Sequence, residues 1–124
     1  MRQEAKRPAT VLRRRALFLD AVRIIEREFS DKLALDDVAR RVATSRRQLQ
    51  RAFAEAGATS FRAYLQRVRM ERAAQLLRDS PAPVKQVASA VGYRQPAQFA
   101  KAFRRHHGSP PSRFRGAVRP ALAA

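Results

Sequence analysis

An all-α fold is predicted for this chain of 124 residues, and three observations predict it. Apolar residues recur at i, i+3, i+4 and i+7, the spacing of one buried helix face. No run of four or more residues alternates cleanly enough to be a strand. One short apolar pattern also occurs twice, with a turn inside each copy.

The elements follow in order. Residues 1–11 read as a flexible polar tail, and 117–124, rich in Pro and Ala, as a second tail, leaving 12–116 as the folded domain. Phe18, Ala21, Val22, Ile25 and Phe29 share one face of a first helix. Helices follow at about 35–42, 45–56, 60–78, 84–91 and 95–107, in a domain of about seven helices. Breaks are expected at Gly57, at Ser80-Pro81-Ala82-Pro83, at Gly92 and at Gly108-Ser109-Pro110-Pro111.

The repeat defines the organisation. Leu35, Val38, Ala39 and Val42 reappear 49 positions later as Val84, Val87, Ala88 and Val91. Leu49, Ala52 and Phe53 reappear 50 positions later as Phe99, Ala102 and Phe103. The slip falls in the turn, so the second turn, with Gly92-Tyr93-Arg94, is one residue longer. Each copy is a short helix, a tight turn and a second helix, which is a helix-turn-helix. The two copies span about 35–56 and 84–107.

The helix between them carries two apolar stripes. Phe61, Tyr64, Leu65 and Val68 centre on one direction, while Ala73, Leu76 and Leu77 centre on another, roughly 120° away at 100° per residue. A helix with two stripes serves two neighbours. It reads as a rigid connector about 27 Å long.

Charge narrows the partner. Lys and Arg number 27 against 10 acids, a formal charge of +17, and 23 of the cations are Arg. No acid follows Asp79. A fold so charged belongs beside a polyanion, since self-repulsion works against compaction. Nucleic acid is the first candidate. A membrane-surface protein needs exposed apolar faces, whereas these stripes pair off into cores. No uncharged run reaches transmembrane length, and Arg2, Glu4, Lys6 and Arg7 do not make a signal peptide. A cytoplasmic, nucleoid-associated location is expected.

Catalytic classes find no support. The chain has no Cys, hence no disulfide, thiolate zinc site or cysteine nucleophile. His106 and His107 lie about 100° apart on a helix and cannot both face one metal. Ser109 and Ser112 have no partnered histidine and acid, and there is no Gly-rich phosphate loop or paired-carboxylate arrangement. No enzyme activity, cofactor or metal is expected.

The second helix of each copy offers a basic face. Opposite Leu49 and Phe53 lie Arg47, Arg51 and Ala54, with Gln48 and Gln50 flanking. Opposite Phe99 and Phe103 lie Arg94, Ala97, Lys101 and Arg104, with Gln98 and Arg105 at the edges. Arg can fork onto guanine O6 and N7, and Gln can pair with adenine in the major groove. One exposed Arg is usually a solvated charge; two such faces on repeated units point to a ligand. Gln48 and Gln98 read as surface, Arg13-Arg14-Arg15 as a basic run that either touches phosphate or is a solvated helix start, and Tyr93, Phe99, Phe103, Phe61 and Phe114 as packing rather than base stacking.

These residues resemble the DNA-binding domain of the AraC/XylS transcriptional regulators. The second copy carries most of the resemblance, through Val87-Ala88, Val91-Gly92-Tyr93, Phe99, Phe103-Arg104, Gly108-Ser109-Pro110 and Phe114-Arg115. The first matches through Leu35, Val38-Ala39, Ser45, Leu49, Arg51 and Phe53, and the connector through Arg69-Met70, Ala73 and Leu76-Leu77. The resemblance covers about residues 14–116. It departs at Gln95-Pro96, where the family has a small polar N-cap, and at Ala97, where a longer base-reading side chain is usual. Ala34 is likewise a poor cap, offset by Asp36 and Asp37 in the first turn.

The resemblance implies a sequence-specific transcription regulator whose two recognition helices enter successive major grooves about 34 Å apart. It implies base contacts from Arg47, Gln50 and Arg51, then from Ala97, Gln98 and Lys101, and a structural role for Arg69. The candidate DNA-binding set is Ser45, Arg46, Arg47, Gln50 and Arg51, with Arg94, Gln95, Ala97, Gln98, Lys101, Arg104 and Arg105. Double-stranded DNA is the expected partner and RNA polymerase the second. Many family members carry an upstream sensing and dimerising domain; this chain reads either as a stand-alone regulator or as a truncated one, with Lys6 to Leu12 as a linker remnant in the second case. The chain itself is expected to be a monomer that needs no inducer. The rival reading is a sequence-indifferent architectural protein that coats or bends nucleic acid.

Overall fold

The structure is a computed structural model that describes residues 7–116. Six helices run in order: α1 (Pro8–Glu28), α2 (Leu35–Arg41), α3 (Arg46–Gly57), α4 (Phe61–Asp79), α5 (Val84–Ala90) and α6 (Pro96–His107). A further helical segment covers 111–116, and the described residues contain no strand. No helix among them is long and apolar enough to cross a membrane. The tail expected at 117–124 lies outside the described residues, as do the first six residues of the one expected at 1–11. From Pro8 on, the expected tail and linker is corrected to helix. Proline is suited to a first helical position, where its missing N–H costs nothing, and the Arg7 carbonyl accepts from the N–H groups of Thr10 and Val11.

The chain forms two compact units. The first takes residues up to Glu28 together with Leu33–Leu65; the second takes Phe29–Lys32 and the residues from Gln66 on. The units exchange chain at two places, the loop after α1 and the middle of α4.

In the first unit Leu17, Ala21 and Ile25 of α1 are buried with Val38 and Ala39 of α2 and Leu49, Ala52 and Phe53 of α3. Phe61 and Leu65, from the first stripe of α4, complete this set. Phe18 meets Phe53 edge-on at 5.1 Å and Tyr64 at 5.9 Å, and Phe53 meets Phe61 at 5.9 Å. Each large apolar side chain buried contributes roughly 1.5–3 kcal/mol, so this handful of residues sets the unit's stability. Gly57 proves to be the last residue of α3, and the break falls at Ala58 in the left-handed conformation (φ 52°). Gly57 answers a different need, because a Cβ there would fall 2.6 Å from Cζ of Phe18.

In the second unit Met70, Ala73, Ala74 and Leu77 of α4 pack with Val87, Ala88, Val91, Phe99, Ala102 and Phe103. Phe61, Tyr64 and Leu65 of the first stripe thus belong to the first unit and Ala73, Leu76 and Leu77 of the second stripe to the second, while Val68 falls in the second unit as well. Phe29 does not extend the buried face of α1 as expected. The helix ends at Glu28, and Phe29 packs against the second core.

Arg69 holds that crossing segment. Its Nε donates to the Phe29 carbonyl at 2.7 Å and its Nη2 to the Asp31 carbonyl at 2.9 Å. Burial pulls its pKa below the ordinary guanidinium range. Gly92 sits beside it with φ 99°, and a Cβ there would lie 3.1 Å from the Ser30 carbonyl oxygen and 3.2 Å from the Arg69 guanidinium. Glycine at this turn is thus required twice, by conformation and by space. Arg115 acts similarly at the end of α4, donating to the carbonyls of Leu77 at 3.2 Å and Ser80 at 3.1 Å.

Candidate nucleic-acid interface

Helix α3 is oriented by Leu49, Ala52 and Phe53, all fully buried. That burial forces Arg47, Gln48, Gln50, Arg51 and Ala54 into solvent, as the periodicity requires. Ser45 starts the helix in extended conformation, and its Oγ accepts from the Gln48 N–H at 3.1 Å. Arg46 turns towards α2, with Nη1 3.4 Å from Oδ1 of Asp36. Arg47, Gln50 and Arg51 make no side-chain hydrogen bond or ion pair among the described residues.

Helix α6 is oriented by Phe99 and Phe103, both fully buried. Ala97, Gln98, Lys101, Arg104 and Arg105 are exposed, as are Arg94 and Gln95 in the turn before it. Gln95 makes no side-chain cap, and Pro96 opens the helix. None of these seven residues makes a side-chain hydrogen bond or ion pair among the described residues. The turn between α5 and α6, 91–95, is one residue longer than 42–45 in the first unit, as the repeat slip demands.

The two units differ electrostatically. In the first, several acids are paired: Glu28 receives both Nη1 and Nη2 of Arg41 at 2.7 and 2.6 Å, Asp37 pairs with Arg40, and Glu55 with Arg14. The Arg41 hydrogen bond holds the Glu28 carboxyl below the usual range. From Ser80 onward the second unit has no carboxylate at all, so the field of α6 is uncompensated from within its own segment. Arg104, Arg105, His106 and His107 crowd its last turn, where cations complement the helix dipole.

The histidines are not alike. His107 is half-buried against Phe103 and Phe114, with ring centroids 4.4 and 5.6 Å away, and its Nε2 lies 3.1 Å from the Met70 carbonyl. His106 is exposed, 4.6 Å from the His107 ring. Desolvation and that neighbour push the His106 pKa down. No group of three metal-ligating side chains occurs among the described residues. Phe61, Phe99 and Phe103 are buried, while Tyr93 and Phe114 pack at the edge of the second core.

One feature of this surface has no signal in the sequence periodicity. Gln48 closes a groove of about 260 Å³ against Thr10, Arg13, Arg14 and Leu17 of α1. Only a tertiary contact between α1 and α3 brings these residues together.

A family model described as a helix-turn-helix domain matches residues 38–117. The Msm operon regulatory protein of Streptococcus mutans is 30% identical over 93 residues, which are 75% of this chain and 34% of that protein. The chain thus spans about a third of that relative's length. A solved transcriptional regulator from Chromobacterium violaceum, described among AraC-type DNA-binding domain-containing proteins, superimposes with a TM-score of 0.77 at 31% identity, covering 82% of this chain and 90% of its own. The DNA-binding domain of AdpA, a global transcriptional factor solved with a target DNA, gives a TM-score of 0.80 at 28% identity, covering 84% and 94%.

Proposed function

Since the chain belongs to the AraC-type helix-turn-helix DNA-binding family, we propose that it is a sequence-specific transcription regulator reading two adjacent major-groove segments of duplex DNA through α3 and α6. The observation that carries this reading is the contrast within each helix. Leu49 and Phe53, and again Phe99 and Phe103, are wholly buried, and the opposite faces present cations and amides with no side-chain hydrogen bond or ion pair among the described residues.

Roles follow from chemistry. Arg47, Gln50 and Arg51 address base edges in one half-site, and Ala97, Gln98 and Lys101 address the other. Arg94, Arg104 and Arg105 neutralise phosphates and hold register without reading sequence. Ser45 acts through its cap, which presents the first turn of α3, whereas Gln95 makes no side-chain cap and offers its amide to DNA at the start of α6. The chain acts in the cytoplasm on the nucleoid and binds as a monomer without an inducer. RNA polymerase is its second partner, since a DNA-bound regulator acts on transcription by recruiting or obstructing it.

The test is the affinity ratio between a duplex selected by the protein and a random duplex of equal length, measured across salt. Specific regulators favour their site by about 10³-fold or more, whereas an architectural binder gives a ratio near one. With about 6–10 phosphates neutralised, affinity falls roughly 10³–10⁵-fold between 50 and 200 mM salt. A flat salt titration overturns the nucleic-acid reading itself.

A further inference from the structure

We propose that the DNA interface extends beyond the two recognition helices onto the start of α1, where Arg13 binds a backbone phosphate beside the groove that α3 enters. This rests on the reading of α3 as a recognition helix.

The run Arg13-Arg14-Arg15 sends its three side chains to three places. Arg14 turns inward, its side chain only 13% exposed, and pairs with Glu55. Arg15 lines a separate groove of about 510 Å³ with Val11, Phe18 and Ala56, towards the C-terminal end of α3. Arg13 lines the other groove, with Thr10, Leu17, Gln48 and the paired Arg14. It is exposed and makes no ion pair among the described residues. One basic run thus provides an internal clamp, a side chain facing away, and one guanidinium beside the first turn of α3 that has no ion pair among the described residues.

Position makes that guanidinium useful. Gln48 lies about 60° round the helix from Arg51 at 100° per residue, so the groove opens on the flank of the proposed reading face. Recognition helices contact base edges with their N-terminal residues, and a strand bordering the major groove passes that flank. The polar groups available are the Arg13 guanidinium, the Thr10 hydroxyl and the Gln48 amide, with Leu17 and the Glu55-paired Arg14 completing the lining. Those groups suit a phosphodiester anion, with the guanidinium as the charged donor. Glu55 pairs with Arg14, while Arg13 makes no ion pair among the described residues. Gln48, a mere surface residue by sequence, becomes a phosphate ligand.

The experiment compares the parent chain with Arg13→Ala, Arg13→Lys and Arg15→Ala, by equilibrium binding to a selected duplex and a random duplex between about 50 and 200 mM salt. Arg13→Ala is expected to lower the salt slope by about one, so that its deficit against the parent changes about fourfold across that range. Both duplexes weaken alike, and base preferences stay those of the parent. Arg13→Lys restores most of the slope as a point charge, and Arg15→Ala, which removes the same charge two residues away, leaves the slope intact. Helical circular dichroism equal to the parent's excludes a folding loss. A steep parent with an equally steep Arg13→Ala overturns this inference alone, as does an equal slope loss in Arg15→Ala, which marks diffuse charge. A parent that is itself flat overturns the DNA reading and this site with it. Altered base preference in Arg13→Ala also overturns it, because a phosphate ligand carries no sequence information.

Discussion

Ala58 and Gly108 stand fifty positions apart at the same point of the repeat, and both hold the left-handed conformation, at φ 52° and 87°. The earlier turn shows the same pairing, Ala43 at 58° against Gly92 at 99°. The first unit therefore carries a methyl group at both points where the second carries glycine. An L-residue in this region costs about 1–2 kcal/mol. Ala43→Gly and Ala58→Gly are each expected to stabilise the first unit by about 1 kcal/mol, read as a higher denaturation midpoint in urea. Gly108→Ala should cost about as much, and from backbone conformation alone, since a Cβ there meets nothing within 4 Å. A loss of stability in either Ala→Gly variant removes the argument.

Those turns also show what the sequence could and could not disclose. The helix faces were legible because Leu49, Phe53, Phe99 and Phe103 obey one period, and burying them dictates what faces solvent. The repeat was legible for the same reason, down to the extra residue in the second turn. Gly57 misled because its role is space for Phe18, and nothing near it in the chain announces an aromatic ring from 39 positions earlier. Phe29 misled because its spacing fits α1, yet the helix stops one residue short and Arg69 ties the following segment into the second unit. The repeat also runs further than the helix-turn-helix. Phe53 meets Tyr64 at 6.2 Å, and fifty positions on Phe103 meets Phe114 at 5.2 Å, so 111–116 closes its unit as the first turn of α4 closes the other. Two prolines disguised that likeness. The faces of α3 and α6 could be read from periodicity, but the Arg13 groove could not, because it exists only where α1 meets α3.

The helix starts give a second contrast. Ser45 caps α3 through its hydroxyl, whereas Gln95 leaves α6 without a side-chain cap. Ser45→Ala is expected to cost about 1 kcal/mol, and Gln95→Ser to gain roughly 0.5–1 kcal/mol. Chemical denaturation of each variant measures both. The gain appears only if the introduced hydroxyl reaches the free N–H groups of the first turn, so an unchanged midpoint for Gln95→Ser counts against the assignment of this terminus as uncapped.

Acid should weaken the second unit through His106. Burial and the neighbouring His107 lower its pKa in the folded chain from the ordinary 6.5, with Arg67 adding to the shift and Glu71 opposing it. Between that lowered value and 6.5 the unfolded chain binds more protons than the folded one. Stability therefore rises with pH across this window and falls as pH drops through 6.5 towards the folded pKa. His106→Asn should flatten the dependence while leaving stability above it unchanged. Urea midpoints followed from neutral to mildly acid pH decide the matter, and an undiminished slope in His106→Asn assigns the effect elsewhere.

Base readout, finally, must be separated from charge. Arg51 lies mid-helix, opposite Leu49 and Phe53, where a guanidinium can reach the groove floor, and Lys101 is its counterpart fifty residues on. Neither is held by a protein partner among the described residues, so nothing need be broken for either to turn to DNA. If both read bases, Arg51→Ala costs about 1–3 kcal/mol on the selected site, and the lost preference is confined to one half. Lys101→Ala should affect the other half only. Its penalty should be the smaller, because the methyl of Ala97 offers fewer hydrogen bonds than the polar side chains in the same stripe of α3. Arg104→Ala, by contrast, should weaken every sequence alike and lower the salt slope by about one. Binding-site selection repeated with each variant provides the measurement. Should Arg51→Ala and Lys101→Ala both return the parent's base preferences, merely weaker, then neither residue reads sequence, and a coat of positive charge that follows the duplex becomes the better account of these two helices.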